Sequence, residues 1–145
     1  MIMKKEKYNL AILGATGVVG REMLEILEER KFPVGELRLF ASEKSVGVEI
    51  TWQGRPIKVG LAGEEEFSGI DLVMGDTPTE VSKKLVPLAG KRGAIVIDCS
   101  SAFRMDLQDP LVVPEVNTHT LARHKRVIAG PNCSAIPIAV VARPI

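Results

Sequence analysis

Two short stretches of this chain carry residue types suited to chemistry. The first is Gly14-Ala15-Thr16-Gly17-Val18-Val19-Gly20, with three evenly spaced glycines. The second is Gly130-Pro131-Asn132-Cys133-Ser134, a turn-forming sequence that holds a thiol. Glycine lets a backbone turn sharply and approach a ligand that a Cβ would keep away. Between a strand and a helix, such a turn admits a dinucleotide pyrophosphate, which meets the unpaired N–H groups and positive end of the helix. The pattern is GxxGxxG rather than GxGxxG. Gly14 is expected to turn the strand, Gly17 to let the backbone near the pyrophosphate, and Gly20 to let helix and strand pack closely. In the second stretch the thiolate would be the attacking form, and a helix N-terminus favours it. Cys133 precedes an apolar run, residues 135–142, that reads as a helix. On these residues alone, an ordinary βα turn and a buried structural cysteine remain open alternatives.

The elements that must position these groups follow from periodicity. Residues 8–13 read as a buried parallel strand. The helix that follows has Met23, Leu24, Ile26 and Leu27 on one face. A second strand at 37–41 ends in Ser42-Glu43-Lys44-Ser45. An NAD site usually has an acid there for the ribose hydroxyls. Ser42 and Lys44 instead offer a hydroxyl and a positive charge, which suit a 2′-phosphate; Glu43 argues the other way. NADP is the expected cofactor, with Gly14, Gly17, Val18, Val19, Ser42 and Lys44 as candidate contacts. Residues 47–59 alternate as a small antiparallel ribbon turning at Gly54–Arg55, with Trp52 in a packing role. Strands are expected at 70–74 and 94–97, with further candidates at 111–113 and around Val127. Thr79 is a candidate cap for the helix carrying Val81, Leu85, Val86 and Leu88. The expected class is α/β: a Rossmann-like, mostly parallel sheet flanked by helices, with the ribbon as an insertion. Ligands of such sheets bind beyond the C-terminal strand ends. The turns after Leu13, Ala41, Met74, Ile97 and Ala129 are therefore the expected functional edge.

Composition narrows the function classes. The 145 residues are 46% apolar and 26% charged, with a net charge of +1. That is a globular composition with no basic field for nucleic acid or an anionic membrane. No apolar run is long enough to span a bilayer, and the basic N-terminus is a poor signal peptide. Cys99 and Cys133 form no metal-ligand spacing, and two free thiols suit the cytoplasm. No metal is expected. Cys99 follows a strand without a Gly-Pro-Asn turn and reads as structural. A cysteine beside a dinucleotide suggests thioester oxidation–reduction, which also needs an acid–base group. The only histidines, His119 and His124, lie in a polar stretch that reads as a surface helix.

Taken together, ILGATGVVG, FASEKSVG, IDCSSAFRMD, PLVVPEVN and AGPNCSAI resemble, in order, the signatures of the aspartate-semialdehyde dehydrogenase family, over essentially the whole chain. The resemblance implies NADPH-dependent reductive dephosphorylation of L-4-aspartyl phosphate to L-aspartate 4-semialdehyde, serving lysine, methionine and threonine synthesis. By resemblance, Cys133 is the nucleophile, Asn132 shapes the substrate and oxyanion site, and Arg104 grips the substrate phosphate or inorganic phosphate. Thr16, Gly17, Ser42 and Lys44 fall where the family holds the NADP phosphates. The chain departs from the family at Lys44, where Arg is usual, and at Gly75-Asp76-Thr77-Pro78-Thr79, where the family reads close to FSAGG. Cys99 replaces an Asn, and Ala135-Ile136-Pro137 replaces Thr-Ile-Gln.

Family enzymes are more than twice this length. The resemblance therefore divides the chain into a dinucleotide-binding domain, 1–132, and the start of a catalytic and dimerisation domain, 133–145. It implies a fragment without normal turnover, whose parent is a homodimer or homotetramer acting on a small-molecule substrate. An N-acetyl-gamma-glutamyl-phosphate reductase-like enzyme is a second reading. Glyceraldehyde-phosphate dehydrogenase fits less well. A non-catalytic dinucleotide-binding module is the reading from another class.

Overall fold

The computed structural model describes residues 5–143. The first four residues of the segment read as a poor signal peptide, and residues 144–145 of the second expected domain, lie outside the described residues. The strands are β1 (Tyr8–Leu13), β2 (Val34–Phe40), β3 (Glu49–Trp52), β4 (Arg55–Gly60), β5 (Leu72–Gly75), β6 (Ile95–Asp98) and β7 (Val127–Ala129). The α-helices are α1 (Val18–Glu29), α2 (Thr79–Lys91), α3 (Pro114–Asn117) and α4 (Ala135–Ala142).

All seven strands join one sheet in the order β3-β4-β2-β1-β5-β6-β7. Every neighbouring pair is parallel except β3 with β4. The expected class is therefore the observed one. β1 lies at the centre, and its alternating side chains supply both faces. Leu10 and Ile12 pack with Met23, Leu24 and Leu27 of α1 and with Leu39, Trp52 and Val59. Ala11 and Leu13 face the other way, against Phe40, Phe67, Val73, Val86 and Val96. Being buried on both sides is why residues 10–13 are continuously apolar.

The antiparallel ribbon is present within the frame as expected. β4 pairs parallel to β2, Leu39 with Val59 and Phe40 with Gly60, so the ribbon extends the sheet. Several expectations need correction. The ribbon's turn falls one residue earlier, at Gln53–Gly54, between the paired Trp52 and Arg55. Both turn residues have positive φ, 49° and 72°, the conformation that matches strand twist in a two-residue hairpin. Residues 111–113 form no strand; a single parallel bridge joins Leu111 to Ala129. Thr79 is the first residue of α2, not its cap, and its hydroxyl pairs with Ser101 Oγ at 2.8 Å. The polar stretch that holds the histidines is helical as expected, with residues 118–123 in a 3-10 helix. Trp52 packs as expected, its Nε1 donating to Leu24 O at 3.1 Å.

α4 is made only of apolar residues, yet none is buried; Ile138 is 68% exposed and Val141 75%. No helix among the described residues is long and apolar enough to cross a membrane.

Candidate active site

Because β1, β2, β5, β6 and β7 run in parallel, the turns after them share one edge. The glycine turn lies at its centre. Gly14 has φ +82°, and a Cβ there would come within 2.5 Å of Asp76 O, so only glycine fits between the β1 and β5 turns. Gly20 is buried at the strand–helix crossing, where a Cβ would sit 2.3 Å from Gly14 O. Gly17 is the exposed N-cap of α1, and it supplies no side-chain cap. Among the described residues, no acceptor is recorded for the backbone N–H groups of Val18, Val19 and Gly20. An uncapped N-terminus with small residues before it leaves donors directed at the space an anion would take.

At the next strand end, Ser42, Glu43 and Lys44 are exposed, and Glu43–Ser45 form one turn of 3-10 helix. Ser45, which sequence reasoning did not select, is the residue that reaches the glycine turn. Thr16 Oγ1 donates to its Oγ at 3.3 Å. Ser42 and Lys44 make no recorded side-chain bond to the glycine turn among the described residues.

The β5 and β6 turns are joined by a buried carboxylate. Asp98 is 0% exposed; its Oδ1 accepts Ser82 Oγ at 2.9 Å and its Oδ2 accepts Ser100 Oγ at 2.6 Å. Ser82 Oγ also pairs with Thr77 Oγ1 at 2.8 Å. Neither serine was singled out from sequence. Cys99 is half-buried, and desolvation, together with Asp76 and Asp98, pushes its thiol up; Arg104 opposes this more weakly. A thiol held protonated is unreactive, in keeping with a structural role.

Cys133 is exposed and lies two residues ahead of α4. Asn132 organises its turn. The Asn132 carbonyl accepts the N–H groups of Ala135 and Ile136, and its Oδ1 accepts Ser134 N–H at 2.9 Å. The Cys133 thiol lies 3.9 Å from the same Oδ1. Arg104 is placed beside this turn, with Nε donating to Gly130 O at 2.9 Å and Nη2 to Cys99 O at 2.7 Å. It also borders a cavity of about 300 Å³ shared with Asp109, Thr120 and Arg123. The histidines are not recorded with the thiol: His119 is exposed, and His124 Nδ1 accepts Arg126 N–H at 3.2 Å. Burial, with the positive charge of Arg126, lowers the His124 pKa. Among the described residues, no group of three or more His, Cys, Asp or Glu could hold a metal ion.

Comparison with known proteins gives a consistent picture. Residues 9–124 match the model of the family described as semialdehyde dehydrogenase, NAD binding domain. The aspartate-semialdehyde dehydrogenase of Bacillus subtilis is 46% identical over 94% of this chain and 40% of its own length. The crystal structure of aspartate semialdehyde dehydrogenase II from Vibrio cholerae, complexed with ASA, superposes with a TM-score of 0.91. It is 44% identical, over 95% of this chain and 46% of that one. The Candida albicans aspartate semialdehyde dehydrogenase with NADP shares the fold, with a TM-score of 0.75 and 21% identity over 95% of this chain and 46% of that one. The chain thus spans less than half the length of these relatives.

Proposed function

Since the chain belongs to the semialdehyde dehydrogenase family, whose NAD binding domain it matches, we propose that it is the cofactor-binding part of an NADP-dependent aspartate-semialdehyde dehydrogenase. The observation that carries this reading is one shared edge. The uncapped glycine turn and the Cys133 turn both lie at C-terminal strand ends of a single parallel sheet.

The residues present fit a dinucleotide phosphate. Gly14 and Gly17 leave room for it, the N–H groups of Val18 and Val19 would donate to the pyrophosphate, and Thr16 with Ser45 offers hydroxyls. Ser42 and Lys44, exposed at the next strand end, would hold the 2′-phosphate. Bound NADPH supplies hydride for the reduction. The Cys133 thiolate attacks the acyl carbon of L-4-aspartyl phosphate; the C–O bond to phosphate breaks, inorganic phosphate leaves, and a thioester remains on the sulfur. Asn132 orients the thiol and faces the developing oxyanion, and Arg104 receives the phosphate through its remaining N–H groups. Reduction of the thioester releases L-aspartate 4-semialdehyde and returns the thiolate.

Residues 1–132 form the dinucleotide-binding domain, and residue 133 begins the catalytic and dimerisation domain of a longer parent. The uncovered apolar surface of α4 supports that division. The parent is a cytoplasmic homodimer or homotetramer of lysine, methionine and threonine synthesis, and it supplies the acid–base group that His119 and His124 do not. The test is Cys133→Ser in the full-length parent. Semialdehyde formation should nearly vanish while NADPH binding stays intact, because a serine hydroxyl is a far weaker nucleophile. Normal turnover without this sulfur would sink the covalent mechanism.

A further inference from the structure

Arg104 is held too firmly at both ends to be only a phosphate ligand waiting in solvent. Its guanidinium reaches two backbone carbonyls on different strand ends: Cys99 O, just after β6, and Gly130 O, just after β7. Those residues already continue the sheet. Cys99 N–H donates to Gly75 O, and Gly130 N–H to Asp98 O, each at 2.8 Å. The loop carrying Arg104 is anchored from behind. Buried Asp98 holds Ser100 Oγ, which in turn accepts Ala102 N–H at 3.0 Å. The guanidinium is thus fixed at its base, and its tip bridges the residue after β6 to the first residue of the Cys133 turn.

We propose that Arg104 is a positioning residue for the nucleophile: it locks Gly130 to Cys99 and so fixes the start of the Gly130-Pro131-Asn132-Cys133 turn before any substrate arrives. This rests on the reading of Cys133 as the nucleophile. Arginine suits the task because a rigid fork spans two carbonyls and still has N–H groups left for an anion. A lysine ammonium carries the same charge on a flexible stem and does not hold the two carbonyls in one fixed geometry. Gly130 completes the closure. A Cβ there would lie 3.5 Å from Cys99 Sγ and 3.4 Å from Asp98 O, so the start of the turn lies directly over the half-buried thiol.

The experiment uses the chain without cofactor or phosphate. Arg104→Lys should raise hydrogen exchange at the Cys99 and Gly130 amides by about tenfold, the effect of losing one bond to a charged donor. In a Cys133→Ser background it should also speed Cys99 alkylation severalfold. Arg38 is the control. It braces a distant edge in the same manner, with Nη1 donating to Glu66 O at 2.6 Å and Ser68 O at 3.1 Å. Arg38→Lys should leave both amides and Cys99 unchanged. If Arg104→Lys folds with parental exchange at both amides, the proposal is overturned and Arg104 is a ligand-binding residue alone. An equal opening in Arg38→Lys also overturns it, since the effect would then be general destabilisation. If Arg104→Lys does not fold, Arg104→Gln, with one amide donor group, decides by the same readout. Retained turnover in Cys133→Ser parent enzyme would sink the functional reading while leaving these exchange results standing.

Discussion

A thiol reacts according to its surroundings, and the two cysteines here have opposite ones. Cys133 is exposed beside the Asn132 amide. Cys99 is half-buried, with its thiol raised first by desolvation and then by Asp76 and Asp98. A raised value means less thiolate at any given pH, so iodoacetamide at pH 8 should label Cys133 first. Cys99 should follow only above the ordinary free-thiol range of ~8.5. Peptide mapping after timed quenching reads the order, and early Cys99 labelling would contradict this assignment. The second-strand turn makes a further residue-scale test. Calorimetric titration should give a tighter constant for NADP than for NAD. Lys44→Ala should narrow that gap by about two- to fivefold, the size expected of an exposed charge contact. Equal affinities in the parent chain would remove the case for a 2′-phosphate site.

At the scale of elements, the glycine turn works because α1 can approach β1 closely. A Cβ on Gly20 would meet Gly14 O at 2.3 Å and Ala15 Cα at 2.8 Å, both backbone atoms that cannot rotate aside. Gly20→Ala should therefore push α1 outward, costing ~2–3 kcal/mol in urea unfolding as other overpacked sites do. Dinucleotide affinity should fall with it, since the N–H groups of Val18 and Val19 move with the helix. Gly47 is the comparison. Its φ is +85°, but a Cβ there meets nothing within 4 Å. Gly47→Ala should carry only the backbone cost of ~1 kcal/mol and leave cofactor binding alone. Equal losses at the two positions would show that crowding at the crossing is not what matters.

Across the whole molecule, chemistry and stability occupy opposite ends of the sheet. The C-terminal strand ends hold the candidate site. At the N-terminal ends, Asp71 ties β1 to β5: its Oδ2 accepts Asn9 N–H at 2.9 Å, and its Oδ1 pairs with Lys5 Nζ at 2.5 Å. Burial alone would raise the Asp71 carboxyl, but the Lys5 ammonium and the Asn9 N–H outweigh it and hold it low. A carboxyl depressed on folding contributes stability above its unfolded value of ~3.9, and that contribution is lost as pH falls through the folded value. Asp71→Asn should cost ~1 kcal/mol at neutral pH, a modest figure for a partly exposed pair. The difference should shrink below about pH 4, and NADP affinity should not change. Thermal melts across pH check this, and a pH-independent difference would contradict it.

The primary sequence by itself determined what local chemistry controls. The apolar run at residues 10–13 and the alternation through Ile50 and Trp52 specify strands whichever neighbours they acquire. The three glycines specify a turn in which one position needs positive φ and another allows close approach. The turn that carries Cys133 was legible because Gly-Pro-Asn precedes it and an apolar helix follows it. Pairing was not legible. That β4 lies parallel to β2, and that residues 111–113 reach β7 by one bridge, depends on which edge is free once the centre has formed. The cross-turn partners were hidden for the same reason. Ser45 reaches Thr16, Ser82 reaches Asp98, and Arg104 reaches Cys99 and Gly130 only because parallel strands bring residues distant in sequence to one edge. Residue type announces a donor or an acceptor, but its partner is chosen by tertiary packing, which must give a buried polar group such as Asp98 a hydrogen bond from wherever the chain supplies one.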